Sequence, residues 1–375
     1  MNALDDHRIV DIVTTQIRTR YPRLVGKGAQ TAEAGYGSEG NSYELTTDQG
    51  ARGWGISYHY APQHAGSFFG KRVSDLFDPA VGATTDEARL LDFPLYDLAG
   101  VILNQPVYRL LGGQGIHPVP CYASMIAMDD IPVPGMSGGV PVILDNCRAM
   151  HDCGFRAFKL KIGRGYQWME PEEGLRRDVE VTRAVREQFP ECDIHADANN
   201  GYDCDGFLRY FDQVADCRLA WVEEPFREDR DDYVRLKERI KEISPQTLIA
   251  SGEGHSRNID LLWELAEHEL LDVVQMDIAH FGLTRWREVI PRFLSVNTRI
   301  APHCWGMRVK THYAAHLAAG VEGTVSVEGV VDDTEGVELE HYVLEDGRLT
   351  IPELPGFGMP LIWGKPLQRV MHLYR

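Results

Sequence analysis

The sequence has no Cys-x-x-Cys pair, and its 7 cysteines are scattered along 375 residues. An odd, dispersed set of cysteines argues against a disulfide framework and favours reduced thiols in a cytoplasm. Residues 1–12 are charged and lack the apolar core of a signal peptide. No apolar run approaches the length of a transmembrane helix. These absences predict a soluble protein of the cytoplasm.

Positively charged residues are also few, because the chain has 38 Lys and Arg residues against 56 Asp and Glu residues and a net charge of −18. Such an acidic chain is a poor partner for nucleic acid or an anionic membrane. A small anionic substrate is still compatible with it, since a bound metal ion reverses the sign of the charge locally. The hydrophobic content of 43% is that of a globular protein, and the length suits one large domain plus a smaller one.

The N-terminal part, residues 1–117, mixes the patterns of strands and helices. We expect a strand over 8–19, two strands within 42–58, and a helix over 86–111 that ends at a Gly-Gly pair. Between them, residues 24–41 have no period and predict a long loop of the kind that often carries function. The sequence therefore predicts an N-terminal α+β capping domain.

From residue 118 onward, short apolar runs alternate with amphipathic helical stretches. The predicted strands are 119–125, 157–162, 192–197, 219–223, 247–251, 271–277, 298–303 and 324–328. This alternation predicts a parallel sheet with helices outside it, and eight units favour a closed (β/α)₈ barrel over an open sheet. We expect the barrel to occupy 118–340 and a C-terminal segment, 341–375, to pack back on the capping domain.

Ionisable residues stand at the ends of seven successive predicted strands. They are Lys161, Asp197, Glu223, Glu253, Asp277, His303 and Glu328. The steps between them are 36, 26, 30, 24, 26 and 25 residues, about one strand-helix unit each, so all seven should reach the same rim. One acidic residue after a strand is often only a helix cap. Seven in succession predict an active site at the carboxyl-terminal face.

Three of these residues, Asp197, Glu223 and Glu253, end consecutive units and offer oxygen ligands alone. A site of this kind selects Mg²⁺, or Mn²⁺, over Zn²⁺. A substrate carboxylate bound to such a metal would present the proton on its α-carbon to nearby bases.

Two candidate bases follow from the pattern. Lys159 and Lys161 lie two apart on one strand, so both point into the barrel, and we expect each ammonium to lower the pKa of the other. His303 follows Asp277 on the next strand, and a carboxylate there would fix the tautomer of the imidazole. A single histidine is more often structural, but this pairing favours a catalytic dyad.

At this point the chain resembles the mandelate racemase subgroup of the enolase superfamily. The motifs that carry the resemblance are Lys159-Leu-Lys161, Asp197-Ala-Asn199, Val222-Glu-Glu-Pro225, Gly252-Glu253, Asp277, His303, Glu328 and Leu110-Leu-Gly-Gly113. Asp277 stands where the muconate-cycloisomerase and dipeptide-epimerase branch has a lysine.

The resemblance implies a role for each motif residue. Asp197, Glu223 and Glu253 would bind the metal, and Lys161 would face the His303–Asp277 dyad as the second acid/base group. The resemblance further implies that Lys159, Asn199 and Glu328 contact the substrate. It also implies a structural Glu224 before a proline for which a cis bond is an option, a specificity role for the 24–41 loop, and a homo-oligomer between a dimer and an octamer.

The leading functional hypothesis is an acid-sugar dehydratase. Such an enzyme removes the α-proton, expels the β-hydroxyl and yields a 2-keto-3-deoxy acid. A racemase or epimerase using the same two bases is the first alternative, and a non-catalytic binding protein on this scaffold is the second. The sequence leaves His195, His255 and the insertion 129–140 without a defined role.

Overall fold

The structure is a computed structural model that describes residues 3–32, 34–115, 118–132, 137–254 and 259–362. Its strands are β1 (Ile9–Arg20), β2 (Glu39–Thr47), β3 (Arg52–Ile56), β4 (Phe77–Asp78), β5 (Gly82–Ala83), β6 (Val119–Ile126), β7 (Ala157–Lys161), β8 (Asp193–Asp197), β9 (Trp221–Glu223), β10 (Leu248–Ser251), β11 (Val273–Val274), β12 (Arg299–Ile300), β13 (Val327–Gly329), β14 (Asp333–Thr334), β15 (Val343–Glu345) and β16 (Arg348–Thr350). Its α-helices are α1 (Val73–Leu76), α2 (Asp86–Arg89), α3 (Asp92–Leu103), α4 (Val107–Leu110), α5 (Val140–Asp152), α6 (Pro171–Gln188), α7 (Cys204–Val214), α8 (Arg230–Ile243), α9 (Asp260–Glu267), α10 (Ile278–Phe281), α11 (Leu283–Leu294) and α12 (Arg308–Gly320).

The N-terminal domain is built on an antiparallel sheet in the order β14-β1-β2-β3. Helix α3 packs on β3 so closely that a Cβ at Gly53 would lie 2.2 Å from the backbone nitrogen of Leu98, so this position requires glycine. The two strands expected within 42–58 are confirmed, although β2 already begins at Glu39. The single helix expected over 86–111 is wrong, because the chain forms three helices. Asn104 takes a left-handed backbone with φ of 51° and Pro106 follows it, which ends α3.

The second domain is a closed barrel of the (β/α)₈ type, as expected, although no α-helix follows its eighth strand in the described part of the chain. Strands β6 to β12 pair in parallel in chain order, β13 pairs with β6, and a bridge between Ile300 and Thr324 completes the circle. Helix α6 begins at Pro171 with two glutamates in its first turn, which suits both the fixed φ of proline and the helix dipole. Helices surround the sheet, so most of the apolar core lies between sheet and helices.

The sixth strand is shorter than the sequence predicts. We expected it to run over 271–277, but β11 ends at Val274, and Asp277 instead caps helix α10 by accepting hydrogen bonds from the backbone of Ala279 and His280. An aspartate that ends a strand and one that caps a helix look alike in sequence. Asp277 still forms a parallel bridge with His303, so it stays at the rim.

The chain after the barrel has two parts. Strands β15 and β16 form a hairpin whose second strand pairs antiparallel with the start of β6. Beyond it, residues near 356 return to the N-terminal domain, where Asp97 accepts a hydrogen bond from the Phe357 backbone and Val107 donates one to Gly356. The described part of the tail thus contacts the barrel through β16 and the N-terminal domain through Gly356 and Phe357. No helix within the described ranges is long and apolar enough to cross a membrane.

Candidate active site

The strand register brings the predicted rim residues to one height. Lys161 pairs with Asp197 across β7 and β8, and Asp197 pairs with Glu223 across β8 and β9. Glu253 follows β10 by two residues. The step lengths in the sequence therefore translate into neighbouring side chains on the carboxyl-terminal face.

Three carboxylates form a compact cluster at this rim. One oxygen each from Asp197, Glu223 and Glu253 lies within 4.8 Å of the other two. The side chains of Asp197 and Glu223 are 0% and 1% exposed, whereas that of Glu253 is 31% exposed. Three converging carboxylates with one open side fit a hard divalent cation such as Mg²⁺.

Glu223 is held by two neighbours that the sequence did not single out. Its Oε2 accepts hydrogen bonds from the Trp221 indole at 3.0 Å and from the Gln275 amide at 3.1 Å, which leaves Oε1 on the side of Lys159.

His195 stacks on Trp221 with ring centroids 3.6 Å apart. Burial, aided by the Lys159 charge, lowers the pKa of His195 to about 3. His195 is thus a neutral packing residue behind the carboxylates.

Lys159 lies beneath the carboxylate cluster and is 1% exposed. Its Nζ is 2.9 Å from Glu223 Oε1, 2.7 Å from Glu328 Oε1 and 3.5 Å from Asp197 Oδ2. Burial opposes its charge, but these carboxylates raise the pKa of Lys159 well above its ordinary value. Its direct contacts are therefore with carboxylates, whose charge it balances.

Lys161 reaches further toward solvent. Its Nζ lies 2.5 Å from Asp197 Oδ2 and 2.7 Å from Asn199 Oδ1. The expected lowering of its pKa by Lys159 is wrong for this arrangement. Burial and Lys159 do oppose the charge, but the adjacent Asp197 carboxylate outweighs them and raises the pKa of Lys161.

His303 and Asp277 form the dyad that the sequence suggested. The Nδ1 atom of His303 is 3.0 Å from Asp277 Oδ2, and its Nε2 atom is 3.3 Å from Glu253 Oε1. Burial would lower the pKa of His303, but the charges of Glu253 and Glu328 and the contact with Asp277 raise it to about 9. The His303 ring therefore contacts Asp277 through one nitrogen and the carboxylate cluster through the other.

Glu328 sits at the end of the eighth strand and is also buried. Its Oε2 accepts a hydrogen bond from the Cys304 backbone at 2.5 Å, and its Oε1 contacts Lys159. Burial would raise the pKa of Glu328, yet Lys159 and His303 lower it to about 2. Neither Glu328 nor Lys159 is among the described residues that line the active-site cavity.

A cavity of about 320 Å³ opens above these groups. Its walls include Lys161, Asn199, Glu253, His303 and Trp305, together with residues 25–28, 30, 31 and 34 of the N-terminal domain. The loop predicted over 24–41 therefore lines the mouth of the barrel between residues 25 and 34, whereas its last three residues belong to β2. Gln30 fastens it by donating to the Asn199 carbonyl at 2.7 Å.

The start of the 129–140 insertion braces this loop. Asp129 accepts hydrogen bonds from Arg23 and the Gly26 backbone, and Asp130 pairs with the fully buried Arg164. Residues 133–136 and His255 lie outside the described residues. The peptide bond between Glu224 and Pro225 is trans, so the cis form that the resemblance allowed is not observed. Glu224 itself has a left-handed backbone, with φ of 40°, and lines the cavity.

Comparison with known proteins gives the family. The model of the family described as "Enolase C-terminal domain-like" matches residues 143–363. The chain belongs to the enolase superfamily. As the sequence resemblance led us to expect, the similar structures include a mandelate racemase/muconate lactonizing protein from Geobacillus sp. Y412MC10.

Two solved structures and one curated relative illustrate the relationship. A galacturonate dehydratase variant from Geobacillus sp., complexed with Mg, is 29% identical over 99% of this chain and 96% of its own, with a TM-score of 0.90. Galacturonate dehydratase from Geobacillus sp. in complex with D-galacturonate and 5-keto-4-deoxy-D-galacturonate is 30% identical over 95% of both chains, with a TM-score of 0.88. D-galactarolactone cycloisomerase from Agrobacterium fabrum is 28% identical over 72% of this chain and 70% of its own.

Proposed function

We propose that the chain is a Mg²⁺-dependent acid-sugar dehydratase. The observation that carries the proposal is the convergence of Glu253, Lys161 and the Asp277-held His303 on one cavity. A metal-binding edge and two proton-transfer groups then face the same small molecule. The relatives that act on galacturonate support the reaction class.

In this proposal Asp197, Glu223 and Glu253 hold the metal. When bound, Mg²⁺ would supply positive charge that stabilises the negative charge developing on the substrate carboxylate. Trp221 and Gln275 occupy Oε2 of Glu223 and so orient its other oxygen toward the cluster. Lys159 offsets part of the negative charge of Glu223 and Glu328 and holds the two carboxylates in place.

Lys161 and His303 divide the proton transfers between them. They reach the cavity from the second and seventh strands, which are separated in the barrel circle by the eighth and first. One group takes the proton from the α-carbon, and the electron pair of that bond forms a double bond to the carboxylate carbon. The other donates a proton to the β-hydroxyl, which leaves as water. The resulting enol becomes a ketone when its deoxy carbon takes a proton from solvent.

Asp277 holds the His303 ring in the orientation that proton transfer needs. Burial would raise the pKa of Asp277, but the charge of Lys310 and the contacts with His280 and His303 hold that pKa well below its usual value. An ionised Asp277 accepts a hydrogen bond from the Nδ1 proton of His303, which leaves Nε2 directed at Glu253 and the cavity.

We assign Asn199 to substrate binding, because its amide lies between Lys161 and Glu253.

The substrate class we propose is a sugar acid of five or six carbons, and D-galacturonate is the first to test. A cavity of about 320 Å³ suits a molecule of this size. The test is a panel of uronates, aldonates and aldarates, assayed for keto-acid product with Mg²⁺ and with EDTA. Mg²⁺-dependent product from at least one acid supports the proposal. Absence of product from the whole panel, with the metal bound, contradicts it.

Epimerisation is the second candidate function. The two proton-transfer groups stand on different sides of the cavity, and the curated relatives include an L-Lys-D/L-Arg epimerase. An epimerase would return a proton to the α-carbon and release no water. The same panel separates the candidates, since an epimer rather than a keto acid would appear.

We place the reaction in the cytoplasm and propose a homo-oligomer, without nucleic acid or a membrane as partner. The described residues form no disulfide, and six of the seven cysteines are buried, as expected for a reducing compartment. Light scattering of the purified protein measures the oligomeric state, and a monomer would contradict this part of the proposal.

A further inference from the structure

A buried lysine outside the motifs touches the dyad. Lys310 projects from α12, the helix after the seventh strand, and its side chain is 3% exposed. Its Nζ lies 2.5 Å from Asp277 Oδ2 and 2.7 Å from the carbonyl oxygen of Trp305. A buried ammonium without partners would be costly, so these two contacts fix its position.

Both contacts of Lys310 lead to His303. The Asp277 oxygen that Lys310 binds is the same oxygen that faces His303 Nδ1 at 3.0 Å. Trp305 follows His303 by two residues and lines the active-site cavity. The Lys310 ammonium thus contacts both the Asp277 carboxylate, which orients the His303 ring, and the backbone two residues after His303.

The other oxygen of Asp277 is held from a different side. Oδ1 accepts hydrogen bonds from the backbones of Ala279 and His280 at 2.9 Å each and lies 3.1 Å from the His280 ring. These bonds anchor one oxygen as a helix cap. The contacts of Oδ2 with Lys310 and His303 then fix the rotation of the Asp277 carboxylate.

We propose that Lys310 is a positioning residue for the Asp277–His303 dyad. It acts through Asp277, does not line the cavity, and keeps the His303 ring at the angle that proton transfer requires. The inference rests on the proposed function, because it assumes that His303 transfers a proton.

The chain offers a matched control at the opposite end of the sixth strand. Lys237 forms a part-buried pair with Asp272, with Nζ 2.6 Å from each carboxylate oxygen. Asp272 precedes β11 and Asp277 follows it, so the two pairs are alike in chemistry but only one meets the dyad. Lys237→Met therefore reports the cost of breaking a lysine–aspartate pair away from the site.

The kinetic experiment compares Lys310→Met, Lys310→Arg and Lys237→Met on the holoenzyme with its best sugar acid. Lys310→Met should lower kcat about 10–100-fold, the effect typical of groups that orient a functional histidine from outside, while KM and Mg²⁺ affinity stay near wild type. Lys310→Arg should recover part of kcat, and Lys237→Met should keep it. Equal losses of kcat in Lys310→Met and Lys237→Met would overturn the proposal.

A double-mutant cycle then tests the route through Asp277. In Asp277→Asn the dyad is already broken, so adding Lys310→Met should change kcat little further. Losses that multiply in the double variant would show that Lys310 acts independently of Asp277 and would overturn the proposal.

A readout without turnover separates this inference from the proposed function. The hydrogen-bonded ring N–H proton of His303 is assigned in proton NMR spectra of the Mg²⁺-loaded protein by its loss in His303→Asn. That resonance should shift or disappear in Lys310→Met and stay in Lys237→Met, even if no tested sugar acid is turned over. An unchanged resonance in Lys310→Met would overturn the positioning role, whatever the reaction proves to be.

Discussion

Lys159 and Glu328 stand on the second and eighth strands of the barrel, yet Lys159 Nζ and Glu328 Oε1 are 2.7 Å apart and both side chains are 1% exposed. Lys159 also contacts Glu223, so one ammonium links a proposed metal ligand to the last strand. The resemblance to known enzymes suggested a substrate contact for Lys159. Its surroundings indicate a different primary task, which is to balance buried negative charge.

Removing that ammonium should destabilise the protein. In Lys159→Met, Glu223 and Glu328 stay buried without their shared cation, so the free energy of unfolding of the metal-free protein should fall by about 3–5 kcal/mol. Chemical denaturation followed by circular dichroism measures the change. Lys237→Met, which breaks a more exposed pair, is the control and should cost less. A smaller loss in Lys159→Met than in the control would contradict this account of Lys159.

Neutralising the most exposed carboxylate of the cluster should weaken metal binding. Glu253→Gln keeps the size of the side chain and removes its charge, so the Kd for Mg²⁺ should rise at least about tenfold in titration calorimetry. Glu322→Gln, at an exposed position away from the cluster, should leave the Kd unchanged. Unaltered Mg²⁺ affinity in Glu253→Gln would remove Glu253 from the ligand set.

Loss of either proton-transfer group should abolish most of the turnover. His303→Asn and Lys161→Ala should each lower kcat by about 100-fold or more, because a positioned acid or base contributes at least that factor. His341→Asn changes a histidine of the C-terminal tail whose side chain is 43% exposed, and it should turn over substrate at the wild-type rate. If either active-site variant kept the wild-type kcat on a confirmed substrate, the role assigned to that residue would be wrong.

Stability should fall in mild acid because of His316, which joins the capping domain to the tail. Its Nδ1 accepts a hydrogen bond from the Tyr108 backbone, its Nε2 contacts Tyr342, and burial lowers its pKa to about 3. The folded pKa lies below the unfolded value of about 6.5, so this contribution is complete above pH 6.5 and is lost as the pH falls toward 3. Between pH 7 and pH 5 the loss should be about 2 kcal/mol.

The variant His316→Gln isolates this effect, because glutamine can accept the Tyr108 hydrogen bond but does not titrate. Its unfolding free energy should depend on pH less steeply than that of the wild type, by about 2 kcal/mol between pH 7 and pH 5. Denaturant titrations at the two pH values give the difference. Parallel pH profiles for the variant and the wild type would contradict the assignment.

The sequence was informative where ionisable residues recurred at intervals of about one strand-helix unit. The register of β7, β8 and β9 places Lys161, Asp197 and Glu223 side by side, as their spacing predicts. Alternation of apolar runs with helices was also enough to predict a closed barrel, because few folds satisfy eight such units.

The parts that the sequence did not reveal depend on contacts between distant elements. Gln275 and Lys310 reach Glu223 and Asp277 only because the barrel brings the sixth strand and α12 to those positions. The depressed pKa expected for Lys161 was wrong for a related reason. Lys159, the neighbour on the same strand, does oppose the charge of Lys161, but the charge that prevails, Asp197, lies on the next strand.

The most direct test of the central claim follows one sugar acid by NMR during turnover in D₂O with Mg²⁺. Removal of the α-proton and loss of water predict a keto acid in which the deoxy carbon carries one deuterium, and EDTA should prevent its formation. Deuterium at the α-carbon of an epimerised acid, with no keto product, would contradict the dehydratase. An α-proton that stays in place while the acid is converted would contradict proton abstraction itself.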